Sequence, residues 1–255
     1  VTGEHYSYPN PTIIEAVCEL RFTSEALEKW ESNYFSEFSD KIKESYPAFE
    51  PVQQHLAQFI LSAQGVAAPP LQAEQRMKFK SKDGTRLIQL GPSSIAMFFL
   101  PKYPGWKLFH DEILFVWGKG VEVFGCNELS RIGLRYINRL PSLAKGTPLS
   151  NWLRSSEFIP KSVTGSKGST FFRSETTEEL GKQTVVTIGL QEDSLEGDKL
   201  TYIFDIDCSK TGEITSSCDY ISNTISLLHD RAWEVFSSSK TSQLDDVLHS
   251  SSNIL

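Results

Sequence analysis

The chain reads as an α+β protein of two similar strand-helix-strands-helix halves that share one antiparallel sheet, with helices on one face. Three observations predict this. Residues 130–140, SRIGLRYINRL, alternate with period two: Ile132, Leu134, Tyr136, Asn138 and Leu140 lie on one side, and Arg131, Gly133, Arg135, Ile137 and Arg139 on the other. The stretch that begins at Glu15, EAVCELRF, alternates in the same way, with Ala16, Cys18, Leu20 and Phe22 opposed to Glu15, Val17, Glu19 and Arg21. After each of these strands comes a helical pattern, several short strands and another helix. The expected organisation is an arm over residues 1–12, a first half over 13–127, a second half over 128–240 and a tail over 241–255.

Taken in order, Pro9 and Pro11 bias Tyr8 and Asn10 away from helix and make the start an extended arm. A strand over residues 14–22 follows. Thr23 or Ser24 then caps a helix whose apolar positions Leu27, Trp30, Tyr34, Phe38 and Ile42 recur at three- and four-residue steps until Pro47 ends it. Strands are expected over residues 55–63, 76–81, 85–90 and 95–100, with a loop over 64–71 and a tight Asp83-Gly84 turn joining the middle pair. Tyr103-Pro104-Gly105-Trp106 opens a second helix bearing Phe109, Ile113, Val116 and Trp117, which should stop near Gly118 and Gly120. The second half repeats the order, with a strand over 130–140, a short helix over 148–153 and a Ser/Gly/Lys-rich loop over 161–169. Strands over 170–176, 183–191 and 200–208 then lead to a closing helix over 218–237 and one more turn near Leu244, Val247 and Leu248, with frayed residues after it. Pairing of the two opening strands across a pseudo-twofold axis would give a continuous sheet of the TATA-box-binding-protein or helix-grip kind, an analogy of fold that carries no function.

A chain of 255 residues, 39% hydrophobic and 22% charged, is long enough to bury a substantial core and fits a globular class. The formal charge of −7 argues against nucleic-acid binding driven by bulk charge while leaving room for a local basic patch. Cys18, Cys126, Cys208 and Cys218 form no C-x-x-C pair, and Cys18 and Cys208 fall on apolar strand faces, as buried thiols of a reducing compartment do. No apolar run reaches membrane-spanning length and the first residues lack a basic-then-apolar signal pattern, so no membrane association and a cytoplasmic location are expected.

Tyr8-Pro9-Asn10-Pro11, the Ile14-Glu15-Ala16-Val17-Cys18-Glu19 run, Gln89-Leu90-Gly91-Pro92, Tyr103-x-Gly105-Trp106 and Gly133-Leu134-Arg135-Tyr136-Ile137-Asn138-Arg139 occur in that order. Together they resemble a sporadically distributed, uncharacterised bacterial family whose members open with Y-x-N-P-P-[IL]-x-E-A. Here Thr12 stands at the second proline of that opening. The resemblance spans nearly the whole chain and implies a bacterial accessory protein of anti-phage defence or toxin–antitoxin cassettes. It brings no catalytic residues.

Four clusters invite chemistry. If the opening strands pair, Glu15 and Glu19 are expected across from Arg135 and Arg139, with Arg131 alongside, as a register-setting ladder or as an anion- or partner-binding face. Asp205-x-Asp207 places two carboxylates on the open side of a strand and is a weak Mg²⁺ candidate for phosphoryl-transfer or nuclease chemistry, although no P-loop accompanies it. Arg76, Lys78, Lys80, Lys82 and Arg86 would give one hairpin a basic face, either a nucleic-acid rib or an edge protected by lysines. His110-Asp111 and His229-Asp230 read as surface pairs on helices of opposite halves, and no G-x-S-x-G or H-E-x-x-H motif is present. The resulting expectation is a non-enzymatic protein-binding component without a cofactor, with nucleic-acid binding as the alternative and a Mg²⁺-dependent enzyme as the third reading.

Overall fold

The computed structural model describes residues 8–55, 60–62, 65–67, 73–125, 129–191 and 198–250. The chain begins with β1 (Ile13–Phe22), α1 (Ser24–Glu28) and α2 (Tyr34–Ile42), then β2 (Ala48–His55), β3 (Ile60–Ser62), β4 (Gly65–Ala67), β5 (Ala73–Lys80), β6 (Arg86–Gly91), β7 (Ser94–Phe99) and α3 (Trp106–Phe124). It continues with β8 (Leu129–Arg139), β9 (Leu143–Ala144), a 3₁₀ turn at Leu149–Asn151, α4 (Lys161–Thr164), β10 (Phe171–Thr177), a second 3₁₀ turn at Glu179–Gly181, β11 (Lys182–Leu190), β12 (Lys199–Leu200), β13 (Tyr202–Ile214), α5 (Cys218–Ser239) and α6 (Ser242–His249).

Nine strands form one open antiparallel sheet in the order β10-β11-β13-β8-β1-β7-β6-β5-β2. The two alternating strands that opened the sequence argument, β1 and β8, lie side by side at its middle. On either side of this seam, the next strand outward is the one that precedes a long helix: β7 before α3 and β13 before α5. The period-two pattern sorts the faces as expected. Ala16, Cys18, Leu20, Leu134, Tyr136, Phe204 and Ile206 are buried in the core to which α3 and α5 contribute Phe109, Ile113, Trp117, Ile225 and Phe236. The opposite face of the same strands is charged.

Several elements depart from expectation. The first helix is two: Thr23 caps α1 through its hydroxyl, but the chain breaks before α2 and Trp30 packs between Phe22, Phe35 and Phe124. An aromatic cluster overrides a continuous helical period here. Helix α3 runs through Gly118 and Gly120 and ends only at Gly125, whose φ of 77° suits glycine. Gly120 is required inside the helix because a Cβ there would meet the Phe124 ring at 2.4 Å. The expected strand over 55–63 and loop over 64–71 fall partly outside the described residues; β3 and β4 pair there as a separate small hairpin. The Asp83-Gly84 turn forms, with the Asp83 carboxylate accepting from the Ser81 hydroxyl and the Thr85 amide. Residues 161–169 hold the short α4 in place of a plain loop. No helix among the described residues is long and apolar enough to cross a membrane.

Candidate functional site

The charged face of the seam forms a polar groove of about 280 Å³ lined by β1, β5, β6, β7, β8 and β13. The register differs from the expected one. Glu19 lies opposite Gly133 and Glu15 opposite Ile137, so neither acid directly faces Arg135 or Arg139. Strand β13 also pairs with β8, which places Asp207 opposite Arg135 and Asp205 opposite Ile137. Arg131 is therefore shared between two neighbouring strands. Its Nη1 donates to Glu19 on β1 at 3.0 Å and its Nη2 to both oxygens of Asp207 on β13 at 3.0 and 3.1 Å. Arg135 makes a two-pronged contact with Asp205 through Nε (2.8 Å) and Nη2 (2.7 Å). Arg21 adds a bond from Nε to Glu19 at 2.8 Å.

Gly133 makes this geometry possible. A Cβ at that position would fall 2.1 Å from Nη1 of Arg131, so the guanidinium lies directly over the glycine backbone. Arg139, the remaining arginine of the strand, makes no ion pair with a described residue, and its backbone amide donates to Thr12. Burial pushes the Asp207 carboxyl above the ordinary aspartate value, against the lowering influence of Arg131 and Arg135. Burial likewise raises Glu15; Arg135 opposes this and the Asp205 charge adds to it. Its hydrogen bonds to Asp205 hold the Arg135 guanidinium still more firmly protonated.

Two expected clusters are rearranged. Asp205 and Asp207 do share the open face, but Asp205 is gripped by two nitrogens of Arg135 and Asp207 by Nη2 of Arg131, so a Mg²⁺ ion would have to displace a guanidinium. Among the described residues no group of three or more His, Cys, Asp or Glu is placed to hold a metal. The five basic residues of the β5–β6 hairpin do not share a face. Arg76 is buried in the groove, donating to Glu74 at 2.8 and 3.0 Å and to Ser93 at 2.9 Å. Lys78 pairs with Glu50, while Lys80 and Lys82 are exposed. Arg86 projects to the helical side, where Nη1 donates to Glu112 of α3 at 2.7 Å and the guanidinium lies 5.6 Å from the Tyr46 ring centroid. The strand alternation of β5 does not carry across the turn into β6, because antiparallel register sets Arg86 opposite Phe99 on the core side.

A second cavity, of about 80 Å³, lies on the helical side of the same seam. Sequence reasoning passed over it. His229 is not a surface residue: its ring is buried, stacked on Trp106 at 4.1 Å and 9°, with Nδ1 hydrogen-bonded to the Tyr136 hydroxyl at 2.8 Å. His110 is half-buried and bridges α3 to Ser222 of α5 at 3.0 Å. Thr12 and Asn138 close the cavity floor, the threonine hydroxyl donating to Asn138 Oδ1 at 2.9 Å and the asparagine amide to the Phe204 carbonyl at 3.1 Å. The available signal was the polar Asn138 at a core-facing position of an alternating strand.

The thiols are arranged for inertness. Cys18 and Cys208 both lie opposite Leu134, one on each side of β8, too far apart for a disulfide. Burial pushes the Cys208 thiol up to about 12 and Cys18 well above the ordinary cysteine value. Cys126 lies outside the described residues. The chain matches no protein-family model and no curated protein sequence.

Proposed function

We propose that this protein is a non-enzymatic binding component that docks a protein partner across the open face of its sheet. The carrying observation is the seam groove, in which arginines and carboxylates interleave and mutually satisfy one another. Along its walls Arg21 pairs with Glu19, Arg131 with Glu19 and Asp207, Arg135 with Asp205 and Arg76 with Glu74, so it has no strong field of either sign. Such a surface suits a partner that brings both charges, and it disfavours a polyanion, which would have to break the existing pairs. Arg135 is the point of attachment: its side chain is 47% exposed and its Nη1 has no partner among the described residues. A backbone carbonyl or carboxylate of the partner accepts that donor.

The strand order supports a finer reading of the fold as two halves, residues 13–127 and 128–240, joined at β1 and β8 in the manner of the TATA-box-binding-protein and helix-grip folds. The groove then straddles their junction. The family resemblance supplies the setting, an accessory of a bacterial anti-phage defence or toxin–antitoxin module. Nucleic-acid binding has less support because the hairpin's basic residues are divided between two faces.

The test is affinity capture from the native host at low and high salt, with and without nuclease, comparing the natural protein with Arg135→Gln. Glutamine retains a hydrogen-bond donor for Asp205 and removes the unpartnered arm of the guanidinium. A stoichiometric protein partner that survives nuclease and salt and is lost from Arg135→Gln supports the reading. Recovery of nucleic acid at low salt only, or a partner indifferent to the substitution, overturns it.

A further inference from the structure

We propose that β10, the strand at one rim of the sheet, pairs with β10 of a second copy of this chain, antiparallel and about a two-fold axis at Ser174, so that two nine-stranded sheets run together as one. The pairing does not depend on what the seam groove binds.

An open sheet has two rims, and here they differ. At one rim β2 carries Pro51, which has no N–H to offer a further strand, and its Glu50 is held by Lys78. At the other rim β10 lacks such guards. Its seven residues, Phe171–Thr177, include no proline and no lysine. Its register with β11 runs from Phe171 opposite Gly189 to Thr177 opposite Gln183 without a bulge. No other backbone bond among the described residues reaches 171–177. Alternate N–H and C=O groups therefore face outward along an unbroken edge, which is a template for another strand.

The strand's own sequence selects the occupant. Antiparallel pairing about Ser174 sets each residue against the one equally far on the other side. Phe172 then faces Thr176 of the second copy, and Arg173 faces Glu175 of the second copy. The two-fold axis makes the Arg173–Glu175 pair twice. Moving the axis by one residue would set Arg173 against Arg173 or Glu175 against Glu175, so the charges also fix the register. Within one chain these two side chains are exposed and their contact is long, at 3.4 Å, which leaves both able to reach across the new strand pair.

Apolar surface lies at the same rim. Phe171 is 77% exposed and Leu180 is 80% exposed. Leu180 sits in the turn after β10 with a φ of 61°, a conformation that turns ordinarily give to glycine or asparagine. The two-fold axis brings that turn to the Phe171 end of the second strand, where apolar side chains of both copies leave water together.

The test is sedimentation of the full chain over a concentration series. One strand pair is a small interface, so dimerisation is expected at about 10–100 µM chain. Arg173→Glu sets Glu against Glu in both pairs, and Glu175→Arg sets Arg against Arg. Each alone should weaken the dimer about tenfold or more. An equimolar mixture of the two variants should dimerise as the natural chain does, because every cross-strand pair in the mixed dimer is again of opposite charge, and so should the double variant R173E/E175R. Recovery on mixing also shows that both variants are folded. A natural chain that stays monomeric at ten times the expected concentration, a single reversal without effect on the dimer, or a mixture that fails to recover overturns the proposal. If either single variant fails to fold, the double variant decides, and its loss of dimer counts against the pairing.

Discussion

Gly133→Ala should destabilise the protein, against the usual sign of that substitution in a strand. Replacing glycine by alanine within a strand normally stabilises by about 0.5–1 kcal/mol, because the unfolded chain loses freedom. Here the new Cβ would lie 2.1 Å from Nη1 and 2.7 Å from Cζ of Arg131, so the guanidinium must lift away. In doing so it leaves both Glu19 and Asp207. The Arg131 side chain is 16% exposed and its partners 23% and 29%, which puts these contacts between surface ion pairs and buried charge-assisted bonds, at about 1 kcal/mol each. Losing about 2 kcal/mol against a gain of about 0.5–1 leaves a net cost of about 1 kcal/mol. Urea unfolding midpoints measure it, and the informative experiment is a double-mutant cycle. In an Arg131→Ala background nothing remains for the methyl to displace, so Gly133→Ala should change sign and stabilise by about 0.5–1 kcal/mol. An equal effect of Gly133→Ala in both backgrounds would refute the argument that the guanidinium is seated on the glycine.

The two glycines inside α3 should respond in opposite directions. Gly118 has open space where a Cβ would go, so Gly118→Ala should gain about 0.5–1 kcal/mol in denaturant unfolding. Gly120→Ala should lose about 1–3 kcal/mol because the Phe124 ring it would strike is held by Trp30 and Trp117. Glu15→Gln tests the groove electrostatics through pH. The folded-state pKa of Glu15 is raised, so its contribution is present below the unfolded glutamate pKa and is lost as pH rises through the folded value. The variant should therefore be the more stable protein at neutral pH, and the difference should vanish on acidification; a pH-independent difference would contradict the shift. Iodoacetamide at mildly alkaline pH should modify the exposed Cys218 promptly and reach Cys18 and Cys208 only after unfolding, as peptide mass mapping would show.

Much of the fold was legible because strand alternation is a local property. The period-two pattern of residues 130–140 and the EAVCELRF stretch identified the two strands that meet at the seam, and the same pattern placed Asp205 and Asp207 on the open face. The Asp83-Gly84 turn was equally local, since the aspartate bonds its own neighbours. Where distant groups compete, local periodicity failed. Trp30 left the helical path to join Phe22 and Phe124, and the Phe124 ring that it holds takes the space over Gly120, so that glycine sits inside a helix rather than at its end.

By itself, then, the chain determined which side chains share a face, since the backbone alternation of a strand needs no partner to define it. Only the tertiary structure decided which strand lies beside which and in what register. That choice gave Arg131 its acids from two strands, sent Arg86 to the helical side of the hairpin and buried His229 against Trp106. Register and neighbour are settled by the packing of residues more than a hundred positions apart, such as Glu19 and Arg131, and no local pattern encodes that distance.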